Sequence, residues 1–121
     1  HPYSLFDWDE SDSNYRGELT KFLKENVQID GIFAINDFTA LDAIEILGEL
    51  KRSVPKDVQV IGYDGIRMAR DRNYIISTIK QPLEEMAKVA VSALFNMIES
   101  KPVVLQTILP ITYVDGKTTK K

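Results

Sequence analysis

The sequence predicts an α/β fold in which a parallel sheet is flanked by helices. The first observation is that short apolar runs of strand length alternate with longer segments that have the apolar period of a helix. The second is that the 121 residues can bury one core and contain no internal repeat or low-complexity segment. Strands and helices that alternate in this way form parallel pairs joined by right-handed crossovers.

Three segments have the apolar spacing of helices. They cover about residues 12–26, 39–50 and 82–100. Pro82 fits the first position of the third helix, and Pro102 stops it. The third helix carries apolar residues over more than half of its circumference, so we expect it to need more cover than one sheet face can give.

Four runs of apolar and β-branched residues are predicted to be strands. They are 31–35, 58–63, 74–79 and 103–114. The run 31–35 is apolar throughout, which is typical of a strand that is buried on both faces. The polar, basic residues 116–121 are expected to form a disordered tail.

The composition excludes several classes of function. The chain has no cysteine, and its single histidine is His1, so thiol catalysis, a histidine triad and a Cys or His metal site are not expected. We expect no cofactor and no metal. The formal net charge of −3 argues against DNA binding by this stretch alone. No apolar run could cross a membrane, and the missing cysteines fit a cytoplasmic protein.

Polar side chains follow two of the predicted strands directly. Asn36 and Asp37 come after the first strand, and Asp64 comes after the second. Because ligands of parallel sheets bind at the carboxyl ends of the strands, these side chains can lie close together on one rim and hydrogen-bond to pairs of hydroxyls of a polyol. The alternative is that they are helix caps and turn formers. For Asp37 the two interpretations are equally supported, whereas for Asp64 the spacing alone favours the alternative.

The predicted helix 39–50 carries more apolar surface than a core-facing stripe needs. One face can pack on the sheet while another meets a symmetric copy of the chain. The alternative, nearly as well supported, is a helix that is buried within its own domain. The stripe consists of Leu41, Ile44, Leu47 and Leu50.

Three motifs resemble the LacI/GalR family of bacterial transcription repressors. They are DGIFAIND at 30–37, VPKDVQVIGYD at 54–64 and STIKQP at 77–82, and the later Leu109-Pro110 also fits. Their order and spacing match the family over about residues 11–114. The form GYDG at 62–65 is similar to that of repressors of sucrose operons.

The resemblance implies a type I periplasmic-binding-protein-like core of two α/β subdomains that follows a DNA-binding headpiece. The chain resembles the C-terminal part of that core, with residues 1–80 and 103–115 in the C-terminal subdomain. The helix 82–100 is then expected to pack on the N-terminal subdomain, with 116–121 as a tail. Binding to a DNA operator would belong to the headpiece alone.

The resemblance also implies roles for single residues. In the family, the residues that match Asn36 and Asp64 line the effector cleft, and Gln81 lies near it. The dimer interface is commonly formed by the helix after Asn-Asp and by the segment after Asp64, which here includes Arg70 and Tyr74. The chain departs from the family pattern at Gly65, Tyr74 and Gly116.

The leading hypothesis is therefore the sugar-sensing and homodimerising portion of a DNA-binding regulator, not an enzyme. A sugar-binding protein of a transporter is the alternative among binding proteins. A phosphoacceptor receiver domain that uses Asp37 or Asp64 with Lys80 is an alternative from another class. A hydrolase is least favoured because no internal histidine can serve as its base.

Overall fold

Alternating helices and strands build a four-stranded sheet in the computed structural model, which describes residues 4–7, 14–66 and 75–120. The predicted α/β class is confirmed, and each predicted helix and strand has a counterpart. Among the described residues, no helix is long and apolar enough to cross a membrane. In chain order the elements are α1 Tyr15–Glu25, β1 Gly31–Phe33, α2 Asp37–Glu49, β2 Gln59–Asp64, β3 Ser77–Lys80, α3 Leu83–Ile98 and β4 Thr112–Val114.

The strand order in the sheet is β1-β2-β3-β4. The pairs β1–β2 and β2–β3 are parallel, as predicted, with Phe33 opposite Ile61 and Asp64 opposite Lys80. The pair β3–β4 is antiparallel, so the sheet is mixed rather than wholly parallel. The fourth strand is also shorter than predicted, because only residues 112–114 pair with β3.

Helix α2 packs on the sheet at β2, and α1 packs against α2. The core cluster is drawn from both helices, from β2 and from the residues beside the strands. Phe33 and Ile35 are 66% and 70% exposed. In the part of the chain that the structure describes, the expected burial of the run 31–35 on both faces is therefore not found. The buried apolar residues are Leu19, Leu23, Ala34, Ala40, Ala43, Ile46, Leu47, Val58, Val60 and Ile76.

The expectation of a disordered tail is wrong for residues 116–120. The Val60 N–H donates to the Thr118 carbonyl over 2.9 Å, and the Thr118 hydroxyl donates to the Val60 carbonyl over 2.6 Å. The same hydroxyl accepts from the Ser77 N–H over 2.9 Å, so Thr118 joins β2 to β3. Gly116 passes so close to Ile76 that an added Cβ would lie 2.3 Å from its carbonyl carbon.

Asp37, in the first turn of α2, fastens that helix to the sheet. Its side chain is buried, with one oxygen accepting from the Thr78 hydroxyl over 2.6 Å and the other from the Ile66 N–H over 2.6 Å. A Cβ at Gly62 would lie 2.2 Å from the carboxylate, which explains the glycine in the middle of β2. The bonds of one carboxylate thus fix α2, the end of β2 and β3 relative to one another.

Helix α3 has no buried residue, although it is strongly apolar. Leu94 and Ile98 are 56% and 70% exposed, and the segment after the helix exposes Leu105 almost completely. A helix of 16 residues with this composition needs cover from another surface. This agrees with the expectation from the sequence that α3 requires more than one sheet face.

The 121-residue chain on its own is expected to self-associate through α3. Burial of each large apolar side chain that is now exposed contributes about 1.5–3 kcal/mol, so a second copy is a favourable cover. Leu94→Glu, in the middle of the apolar arc, should raise the dissociation constant, whereas Ser92→Glu on the polar side of the helix should not. Sedimentation velocity at micromolar concentration measures both. A cooperative monomer of 13.8 kDa at all concentrations would contradict the prediction.

Asp37→Ala is expected to destabilise the fold strongly. The change leaves the buried hydroxyl of Thr78 and the N–H of Ile66 without their acceptor, at about 1–3 kcal/mol for each group. Asp42→Ala, in the same helix, removes only a partly exposed ion pair with Arg16 and should cost less than about 1 kcal/mol. Urea unfolding of both variants makes the comparison, and equal losses would refute the role of Asp37.

Candidate functional site

Asn36 forms the first part of a polar rim at the carboxyl ends of the strands. It follows β1 in an extended conformation and caps α2, with its Oδ1 accepting from the Thr39 N–H over 2.8 Å. This confirms the prediction that the Asn-Asp pair starts the helix. Among the residues that the structure describes, the amide nitrogen of Asn36 has no hydrogen-bond partner, so it remains available as a donor.

Asp64 and Gln81 form the second part of the rim. Gln81 follows β3, and its Nε2 donates to Asp64 Oδ1 over 2.6 Å. Asp64 has a φ of 101° and Gly65 one of 74°, so the chain turns sharply where β2 ends. A Cβ at residue 65 would lie 2.8 Å from the Lys80 backbone, and glycine is therefore required there. This accounts for the departure from the family pattern at Gly65.

The sheet register brings the two parts of the rim to one level. Phe33 pairs with Ile61, and the Ala34 N–H continues the ladder to the Ile61 carbonyl over 2.8 Å. Asn36 and Asp64 each lie three residues beyond that pair, at the ends of neighbouring parallel strands. Asn36 and Asp64 therefore lie at the same end of the sheet, as the argument from the strand ends expected, and Gln81 joins them there through its bond to Asp64.

Asp37 lies behind this rim rather than on its surface. It is 1% exposed, and both of its oxygens accept hydrogen bonds from within the protein. The geometry thus favours the alternative that the sequence left open, in which Asp37 holds the start of a helix and a turn. Direct contact between Asp37 and an effector stays a prediction.

The rim groups suit the recognition of hydroxyls. The Asp64 carboxylate can accept hydrogen bonds, the Asn36 amide can donate them, and the Gln81 carbonyl can accept them. Adjacent hydroxyls of a sugar need such a mixture of acceptors and donors. Among the described residues, no group of three or more Asp, Glu, His or Cys side chains could hold a metal ion.

In the part of the chain that the structure describes, two cavities lie away from the rim. A cavity of about 280 Å³ lies between α3 and residues 103–107, and one of about 530 Å³ lies at the C-terminal end of α2. Neither cavity is lined by Asn36, Asp64 or Gln81. The polar rim is therefore separate from both of these cavities.

The predicted dimer surface on α2 needs one correction and one addition. Leu47 is fully buried in the core, so it has no surface to offer a partner. The aromatic ring of Phe38, which the sequence analysis missed, is 62% exposed. Its signal was an aromatic residue three positions before Leu41, in line with the apolar stripe but ahead of the predicted start of the helix at residue 39. Three of the predicted residues are half-buried and pack on the core, namely Leu41, Ile44 and Leu50. The other two, Arg70 and Tyr74, lie outside the described residues.

Comparison with known sequences finds regulators. The chain is 38% identical over 95 residues to the HTH-type transcriptional regulator MalR of Clostridium butyricum, covering 75% of this chain and 28% of that protein. It is 38% identical to the ribose operon repressor of Bacillus subtilis, covering 76% of this chain and 28% of the repressor. The sucrose operon repressor of Streptococcus mutans is 30% identical, with 81% of this chain and 31% of the repressor covered. The chain thus spans less than a third of these relatives.

Solved structures agree with these sequences. A LacI-family regulator from Arthrobacter sp. FB24 in complex with lactose superposes with a TM-score of 0.73 at 31% identity, over 87% of this chain and 41% of the regulator. The lac repressor dimer bound to operator and the anti-inducer ONPF gives a TM-score of 0.74 at 28% identity, over 85% of this chain and 36% of the repressor. The model of the periplasmic binding protein-like domain family matches residues 1–119. The chain therefore belongs to the periplasmic binding protein-like domain family, as part of a LacI/GalR-type effector-binding core.

Proposed function

We propose that the chain is the sugar-sensing portion of a LacI-type transcriptional regulator. The observation that carries the proposal is the rim of Asn36, Asp64 and Gln81 at the carboxyl ends of the parallel strands. Matches to regulators named for ribose and sucrose operons, and to one solved with lactose, support a sugar as the effector. A regulator of this kind acts in the cytoplasm.

In this proposal three rim residues contact the effector. The Asp64 carboxylate accepts hydrogen bonds from a pair of sugar hydroxyls, and the bond from Gln81 keeps the carboxylate oriented. The free amide nitrogen of Asn36 donates to a further hydroxyl oxygen. Asp37 supports the site from the protein interior through its bonds to Thr78 and Ile66.

We infer that the cleft is completed by an N-terminal subdomain in the longer regulator. Residues 1–80 and 103–115 would form the C-terminal subdomain, and the exposed apolar side chains of α3 would pack on the other one. DNA operator binding would come from a separate headpiece. The weak negative charge of the chain supports this division, because a DNA-binding surface carries excess positive charge.

A homodimer is the proposed assembly. Its contacts would come from the first half of α2, centred on Phe38 and Leu41, and from the segment with Arg70 and Tyr74. The exposed ring of Phe38 supports this surface, because a large aromatic group beside a half-buried leucine is typical of an interface anchor.

Other functions have less support. A transport-linked sugar-binding protein would use a similar fold, but the relatives named above are regulators. A receiver domain needs an accessible phosphoacceptor, and the burial of Asp37 does not favour that role.

Asp64→Asn is expected to weaken sugar binding by about 1.5–3 kcal/mol, the scale of a hydrogen bond to a charged group. Asn36→Ala should weaken it too, with some loss of helix capping. Titration calorimetry of the full regulator with ribose, sucrose and lactose identifies a sugar that binds and then compares the variants. Asp30→Asn, at the opposite end of β1, is the control with the same change of charge. Unchanged affinity in Asp64→Asn would reduce Asp64 to a turn residue.

Phe38→Glu is expected to raise the dissociation constant of the dimer of the full regulator at least about tenfold, because a charge would be buried among apolar groups. Val27→Glu places the same charge on an exposed apolar residue outside the proposed interface and should leave the dimer intact. Light scattering over a dilution series measures both variants. A dimer that tolerates Phe38→Glu as well as Val27→Glu would place the interface elsewhere.

A further inference from the structure

The turn after β2 is held by two buried side chains from outside it. The Gly65 N–H donates to the Thr78 hydroxyl over 3.3 Å, and the Ile66 N–H donates to Asp37 Oδ2 over 2.6 Å. The Thr78 hydroxyl in turn donates to Asp37 Oδ1 over 2.6 Å. The hydroxyl thus uses its donor and an acceptor position at once, and both carboxylate oxygens are occupied.

This turn has a backbone conformation that needs support. Asp64 has a φ of 101°, in a region that residues with a Cβ rarely occupy, and Gly65 follows with a φ of 74°. Such a conformation persists only where the surrounding structure determines it. The two N–H groups that directly follow Asp64 are the ones held by Thr78 and Asp37, so these bonds are placed to provide that support.

The conformation decides where the Asp64 carboxylate points. With the turn in place, Asp64 Oδ1 lies 2.6 Å from Gln81 Nε2, on the rim. If Asp64 relaxed to an ordinary extended φ, its side chain would point in another direction and the hydrogen bond from Gln81 would break. The orientation of the carboxylate therefore depends on hydrogen bonds that Asp64 itself does not make.

We propose that Thr78 is a positioning residue for effector binding, acting with Asp37 to hold the turn that orients Asp64. Thr78 is 1% exposed, so its action passes through the N–H of Gly65 and the carboxylate of Asp37 rather than through contact with a ligand. This role rests on the proposed function in so far as the ligand of Asp64 is a sugar. It goes beyond that function by adding a determinant of affinity inside the protein.

Thr78→Val tests the role, because it removes the hydroxyl and keeps the shape of the side chain. Amide hydrogen exchange of Gly65 and Ile66 should accelerate about tenfold, the scale of one buried hydrogen bond, while exchange in α1, which lies away from Asp37 and Thr78, stays unchanged. The dissociation constant of the full regulator for whichever of ribose, sucrose and lactose it binds should rise about five- to tenfold. Thr78→Ser, which retains the hydroxyl, should restore both values.

Thr112→Val is the matched control, because it makes the same change on the exposed side of β4. Unchanged exchange at Gly65 and Ile66 together with unchanged affinity in Thr78→Val would overturn the proposal. If Thr78→Val does not fold, unprotected amides of Gly65 and Ile66 in the unmodified protein would overturn it equally. If the full regulator binds none of the three sugars, the proposed sugar effector is contradicted, and the exchange measurements still decide whether Thr78 holds the turn.

Discussion

The buried carboxylate of Asp37 is the constraint on which the rest of this structure depends. A charged group that is removed from water must find hydrogen-bond donors inside the protein, because the cost of leaving it unpaired is several kcal/mol. Here the donors are the Thr78 hydroxyl and the Ile66 N–H. To reach them, α2 must begin directly above β2, and Gly62 must lack a side chain. One satisfied charge therefore fixes the start of a helix, the end of one strand and the interior of the next.

The same constraint divides the polar groups at the strand ends into two layers. The inner layer consists of Asp37 and Thr78, whose side chains are hydrogen-bonded within the protein and are not available to a ligand. The outer layer, Asn36, Asp64 and Gln81, is only partly paired and lies at the surface. A rigid inner layer makes the outer one a preorganised wall, and preorganisation lowers the entropic cost of binding. A site built on strand ends gains this rigidity from the sheet.

Periodicity and motif spacing predicted the fold class, the helices and the shared rim, because these depend on patterns that recur along the chain. The separate roles of Asn36 and Asp37 could not be predicted, since both are good acceptors at a helix start and only burial distinguishes them. Leu47 was placed on a partner surface because a helical stripe does not say how much of it the core takes. The order in residues 116–120 was missed because nothing in a polar, basic segment indicates that the hydroxyl of Thr118 bridges two strands.

Gln81 connects the rim to the one helix that lacks cover. Its side chain bonds Asp64, while its carbonyl accepts from the Leu83 N–H over 3.0 Å at the start of α3. The carboxylate of Asp64 keeps acceptor positions beside the one that Gln81 uses, so a ligand hydroxyl can bind while Gln81 stays in place, two residues before the first residue of α3. The exposed Leu94 and Ile98 belong to the helix that starts two residues after Gln81, so whatever surface covers that helix is connected to the rim along the chain. Because Gln81 takes part in both contacts, the orientation of its side chain on the rim and the start of α3 depend on the same residue.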